Sequence, residues 1–241
     1  MKKPGIGNRQ SAIGAVLVLA VALAVGCGGA RSGPGSVVPA TTGTVYLPDG
    51  YDSGRRYPVL VMLPASNGTA VAMRRSYPQT GPVIVLLAAG TGTPADYATN
   101  SSWAGTIARY ERQLRADVAA LVASGHADPG RVYLAGFSMG GDLAWALTLR
   151  NPELVKGAIV MGSRMSYRSN AADHAALKSR HVRFYLIMGE DEDAGRFRGV
   201  EAARSLLDSL DVSYRYRRVS DLGHLRAPAN VFADALEFVL D

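Results

Sequence analysis

Arg131-Val132-Tyr133-Leu134-Ala135-Gly136-Phe137-Ser138-Met139-Gly140-Gly141 is the stretch on which the reading of this chain turns. Its first five residues form a short apolar run suited to a buried strand. After Gly141, the helical spacing of Leu143, Leu147 and Leu149 runs until Asn151-Pro152 stops it. Between strand and helix the chain must turn within a few residues. The positions two before and two after Ser138 are Gly136 and Gly140, the lack of bulk that a cramped turn demands, and Gly141 adds clearance. A hydroxyl raised on such a turn stands at a helix N-terminus, where the positive end of the dipole favours a developing negative charge.

Outward from this turn the same alternation recurs. Apolar runs at 44–47, 58–63 and 83–87 read as strands, and Ile107, Tyr110, Leu114, Val118 and Leu121 predict a helix over 104–124. Beyond the turn, strands near 157–161, 182–188 and 212–219 alternate with helices near 173–180, 199–210 and 229–240. No repeat of fixed period is visible. Alternation of this kind in one domain implies an α/β fold, a mostly parallel central sheet with helices on both faces and active groups at the carboxyl ends of its strands.

A serine hydroxyl is a weak nucleophile and needs a base. Of the four histidines, His224 lies after the 212–219 strand and just before the last helix, where the chain order serine, acid, histidine puts the base. His126 precedes Asp128-Pro129-Gly130 in an expected surface turn, His174 falls at a polar helix start and His181 opens a strand; these three read as ordinary exposed residues. The acid is expected after the 182–188 strand, in Gly189-Glu190-Asp191-Glu192-Asp193-Ala194-Gly195. Asp193 is the first choice, because a carboxylate a few residues past the strand can turn back toward the histidine, with Asp191 and Glu192 as alternatives. Four packed carboxylates also suggest a cation site, but the regularly spaced oxygen ligands of a calcium loop are missing, so no metal is expected.

With these residues in place, the chain resembles the α/β-hydrolase superfamily over roughly residues 43–240. The spelling Gly-Phe-Ser-Met-Gly-Gly is similar to its small carboxylesterase, feruloyl-esterase and polyhydroxyalkanoate-depolymerase-like branches. The resemblance implies a serine esterase without a cofactor, acting on a small or polymer-derived ester through Ser138, His224 and Asp193 and an acyl-enzyme. It also implies an oxyanion hole formed by the Met139 amide and one from Pro64-Ala65-Ser66-Asn67-Gly68, with Ala65 or Ser66 as that donor. Many relatives carry His-Gly in that loop, where this chain has Pro64-Ala65. The same fold also supports peptidase or thioesterase chemistry, or a binding module without turnover. Tyr97, Trp103, Tyr167 and Phe197 are either site-lining aromatics or core and rim residues.

The front of the 241-residue chain is of another kind. Met1-Lys2-Lys3 precedes an almost unbroken apolar stretch, 12–25, which reads as an export signal. Its end, Leu23-Ala24-Val25-Gly26-Cys27, resembles the bacterial lipobox, with Ala24 where a leucine is commoner. The expected organisation is a signal over 1–26, a flexible linker over 27–42 and a hydrolase domain over 43–241. Such a protein is held at the cell envelope by a lipid on Cys27. Cys27 is the only cysteine, which excludes an intrachain disulfide. Removing Lys2, Lys3 and Arg9 with the leader halves the formal charge of +6. The arginines left at 55–56, 74–75 and 215–218 read as solvated faces rather than a nucleic-acid footprint.

Overall fold

A computed structural model describes residues 41–241, apart from the side chains of 171 and 172; the leader, Cys27 and the linker up to residue 40 lie outside the described residues. The first half runs β1 (Thr44–Tyr46), β2 (Tyr57–Leu63), β3 (Gly68–Thr69), α1 (Val71–Ser76), β4 (Ile84–Leu87), β5 (Thr91–Gly92), a single 3-10 turn (Pro94–Tyr97) and α2 (Asn100–Ala123). The second half runs β6 (Ala127–Phe137), α3 (Met139–Arg150), β7 (Val155–Met161), α4 (Ala171–Ser179), β8 (Arg183–Gly189), α5 (Ala194–Ser209), β9 (Tyr214–Val219) and α6 (Ala229–Leu240).

Seven strands form one sheet in the order β1-β4-β2-β6-β7-β8-β9, and β3 and β5 form a separate two-residue ribbon. Only β1 runs antiparallel, against β4; every other pairing in the large sheet is parallel. β6 is the middle strand, so the turn that follows it opens at the centre of the sheet's carboxyl edge. Alternate residues feed two cores, as strand geometry requires. Val59, Val61, Leu134 and Leu186 face α2, α3 and α5, while Leu60, Met62, Tyr133 and Ile187 face α1 and α6. In α3 every residue from Met139 to Leu149 is buried, which explains why its apolar pattern has no polar stripe. On the opposite face Phe232 of α6 stacks on Tyr77 with ring centroids 3.9 Å apart. Among the described residues no helix is long and apolar enough to cross a membrane.

Several boundaries move relative to the sequence expectation, each for a local reason. α2 begins at Asn100 because Thr99 caps it: the Ser102 amide donates to Thr99 Oγ1 at 3.0 Å, and the Thr99 amide donates to Ser102 Oγ at 2.9 Å. The buried carboxylate of Asp117 on α2 accepts from the amides of Thr42 and Gly43 at 2.7 and 3.1 Å, fixing the approach to β1. Asp128-Pro129-Gly130 does turn near the surface, the Gly130 amide donating to Asp128 Oδ1 at 2.9 Å, but as an unpaired bulge within β6, whose front end is drawn into the sheet where Ala127 pairs with Tyr57 and the Tyr57 amide donates to the His126 carbonyl. His126 is therefore buried rather than exposed, with its ring bonded to the Tyr51 hydroxyl. His181 lies in a left-handed turn (φ 53°) ahead of β8 instead of opening it. α5 starts at Ala194, five residues before the predicted 199, a shift that bears directly on the site.

Candidate active site

Ser138 occupies the turn between β6 and α3 at φ 57° and ψ −120°, a conformation that costs a non-glycine residue roughly 1–3 kcal/mol and survives only where its surroundings enforce it. The enforcement is visible. The Ser138 amide donates to the Met161 carbonyl at 2.9 Å, and its own carbonyl accepts from Asp142 at 3.0 Å. A Cβ on Gly136 would collide with the Gly140 backbone, and one on Gly140 would come within 2.7 Å of the Leu63 carbonyl. Both glycines are therefore steric requirements of the turn.

His224 reaches this serine from the loop between β9 and α6, with Nε2 3.0 Å from Ser138 Oγ. On the ring's other side, Nδ1 lies 2.9 and 3.0 Å from the two carboxylate oxygens of Glu192, whose side chain is 1% exposed. Phe137 flanks the imidazole, ring centroids 4.7 Å apart. Arg196 adds a contact that the sequence did not announce: its Nη2 is 3.3 Å from His224 Nε2, and its Nε donates to the Gly162 carbonyl at 3.1 Å. A guanidinium can only donate, so Nε2 must accept, which leaves the ring proton on Nδ1, facing Glu192.

Asp193, the first choice for the acid, does not face His224. It is the N-cap of α5: Oδ1 accepts from the amides of Gly195 and Arg196 at 2.8 and 3.1 Å, and Oδ2 pairs with the Arg196 guanidinium. Because the helix begins at Ala194, Asp193 is turned to its end and the preceding residue, Glu192, is turned to the ring. Asp191 makes a backbone bond to the Leu222 carbonyl at 3.0 Å, and the fourth carboxylate, Glu190, points to Arg218. The acidic run thus disperses, and among the described residues no group of three or more His, Cys, Asp or Glu gathers as a metal site would need.

A cleft of about 330 Å³ opens over the serine, bordered by Ser66, Tyr97, Ser138, Arg164, Arg196 and His224. Larger hollows occur along α4 and ahead of β8, away from these residues. Met139 begins α3, where amides of the first turn have no intrahelical acceptor; its side chain is buried, and it is not among the residues that border the cleft. From the expected 64–68 loop it is Ser66, rather than Ala65, that borders the cleft.

Of the four aromatics singled out, Tyr97 alone reaches the cleft; it stacks on Trp103 at 4.6 Å, while Tyr167 and Phe197 pack against the core. Its hydroxyl donates to Asp142 Oδ2 at 2.7 Å. Burial, then the charge of Asp142, pushes the Tyr97 phenol far above its ordinary range, although the nearby cations Arg164 and Arg196 pull the other way. Burial likewise raises the Asp142 carboxyl, against the opposing effect of Tyr97 and the backbone amides of Arg164, Met165 and Ser166. Tyr97 and Asp142 thus form one hydrogen-bonded wall of the cleft, which no sequence motif marked.

Comparison with known proteins fits this geometry. The family described as "Putative esterase" matches residues 39–216. A search of curated protein sequences finds no match. Among solved structures, the fold resembles esterase PE8 (21% identity, 82% of this chain and 96% of that one, TM-score 0.61). It also resembles the Bacillus cereus carboxylesterase (15%, 82% and 92%, TM-score 0.63) and a ferulic acid esterase (17%, 82% and 91%, TM-score 0.60).

Proposed function

Since the chain belongs to the esterase family, and is thereby a carboxylic-ester hydrolase of the α/β-hydrolase fold, we propose that it works through Ser138, His224 and Glu192 by way of an acyl-enzyme. The observation that carries this reading is the unbroken line of contacts from Glu192 through His224 to Ser138, at 2.9 and 3.0 Å. Ser138 Oγ attacks the ester carbonyl while its proton passes to His224 Nε2. Glu192 stabilises the imidazolium through Nδ1–H and holds the ring in place. The negative charge on the tetrahedral oxygen falls to the Met139 amide and the 64–68 loop, preorganised donors that need no rearrangement as charge develops. His224 returns the proton to the leaving alcohol, and a water activated by the same nitrogen then releases the acid and restores Ser138.

A fluorophosphonate probe tests this reading. It is expected to label wild-type protein at Ser138 and to leave Ser138→Ala unlabelled; a folded wild-type protein that takes up no probe and cleaves no activated ester overturns it.

We also propose that the protein is exported and tethered at the bacterial cell envelope by a lipid on Cys27, a reading supported by the leader sequence alone. Metabolic labelling with a tagged fatty acid should mark wild type and be lost in Cys27→Ala.

A further inference from the structure

Arg164 and Arg196 both border the space over Ser138, and both lie near enough to Tyr97 to act on its phenol. Their acidic surroundings are already committed. Glu192 gives both oxygens to His224, Asp193 caps α5 and pairs with Arg196, and Asp142 is buried against Tyr97 and the 164–166 amides. Arg196 is held by these contacts and its side chain is only 16% exposed, so its charge is fixed in the wall. Arg164 differs: it is exposed at the cleft, and among the described residues no carboxylate lies within ion-pairing distance of it. Arg164 stands two residues after the left-handed Gly162 (φ 51°) and directly before the fully buried Met165, and its backbone is held by a bond to the buried Asp142 carboxyl although its side chain is exposed.

Resting on the esterase reading above, we propose that the substrate is an ester carrying a carboxylate a few atoms from the scissile carbonyl, and that Arg164, backed by the fixed charge of Arg196, binds this carboxylate. A guanidinium offers a planar fork that fits a carboxylate through two parallel hydrogen bonds, which an apolar substituent cannot use. The cleft volume of about 330 Å³ suits a small ester rather than a long acyl chain. Ser66, Pro94 and Tyr97, which also border the cleft, carry no charge, so a single anionic group finds its cationic partner at the two arginines.

The test uses the full-length protein and two pairs of esters that differ in charge. Mono-para-nitrophenyl adipate is compared with its methyl ester, and para-acetoxybenzoate with methyl para-acetoxybenzoate, so the charge lies first on the acyl side and then on the alcohol side. The expected result is kcat/KM at least about tenfold higher for the charged member of one pair, a preference that shrinks as added salt screens the exposed Arg164. Arg164→Gln should reduce that ratio about tenfold, Arg164→Lys should retain part of it, and Arg164→Glu should invert it. The proposal is overturned if both charged esters are cleaved no better than their neutral partners, or if the ratio is the same in wild type and Arg164→Gln. Wild type that labels at Ser138 and cleaves neutral esters without charge preference sinks this inference alone. Wild type that neither labels nor cleaves any of the four sinks the esterase reading with it.

Discussion

Glu192 and Asp193 are neighbours in the chain, yet one gives its oxygens to an imidazole and the other to a helix end. The difference predicts opposite phenotypes. Glu192→Gln keeps the shape but removes the charge opposite Nδ1, and is expected to lower kcat for an activated ester by about a thousandfold or more. Asp193→Ala should change kcat by no more than about threefold in the same assay while costing about 1 kcal/mol in denaturant unfolding, the usual worth of an N-cap. Ser138 and His224 were legible because glycine spacing and chain order single them out. The acid was not, since consecutive carboxylates differ only in where the backbone aims them. The signal lay in the residues that follow: aspartate is a preferred N-cap, and reading Asp193-Ala194-Gly195-Arg196 as a helix start leaves Glu192 for the histidine. Asp142 makes a separate prediction. Its carboxyl titrates above the ordinary range when folded, so between the two values the native chain keeps a proton that the unfolded chain loses. Its contribution to stability is therefore full below the ordinary carboxylate range and declines as pH rises through that window. Thermal melts from about pH 4 to 8 should show that decline in wild type and a flatter profile in Asp142→Asn.

Elements were predicted best where periodicity continues to their ends. α6 runs over Ala229–Leu240, as its amphipathic pattern implied, whereas α2 and α5 both begin earlier than their apolar spacing does. In each, the start is set by a polar cap, Thr99 or Asp193, that satisfies first-turn amides, so a search for apolar recurrence passes over it. Thr99→Ala removes the acceptor for the Ser102 amide and should destabilise the protein by about 1 kcal/mol in urea unfolding. The same turn follows Tyr97, so the variant should also raise KM more than it lowers kcat, a split that steady-state kinetics can read.

At the scale of the molecule, the fold class was readable because strand-helix alternation leaves few topologies, and parallel strands require cover on both faces. The strand order was not readable, since apolar runs such as 58–63 and 83–87 carry no label for their neighbours. The two cores carry the load on opposite sides of the sheet, and one of its faces is closed by α1 and α6. Phe232→Ala should therefore cost about 3–5 kcal/mol in equilibrium unfolding through the void left beside Tyr77. At concentrations where the variant stays folded, probe labelling of Ser138 should persist.

Among the described residues the last strand of the large sheet, β9, has a neighbour only on its β8 side, and it exposes Arg215, Arg217 and Arg218 along its length. An open border of backbone donors and acceptors is a template onto which a second chain can zip, and a row of like charges makes that approach repulsive. These arginines thus guard against fibre growth, and conditions that mask them, such as high salt or polyanions, are where self-association should begin.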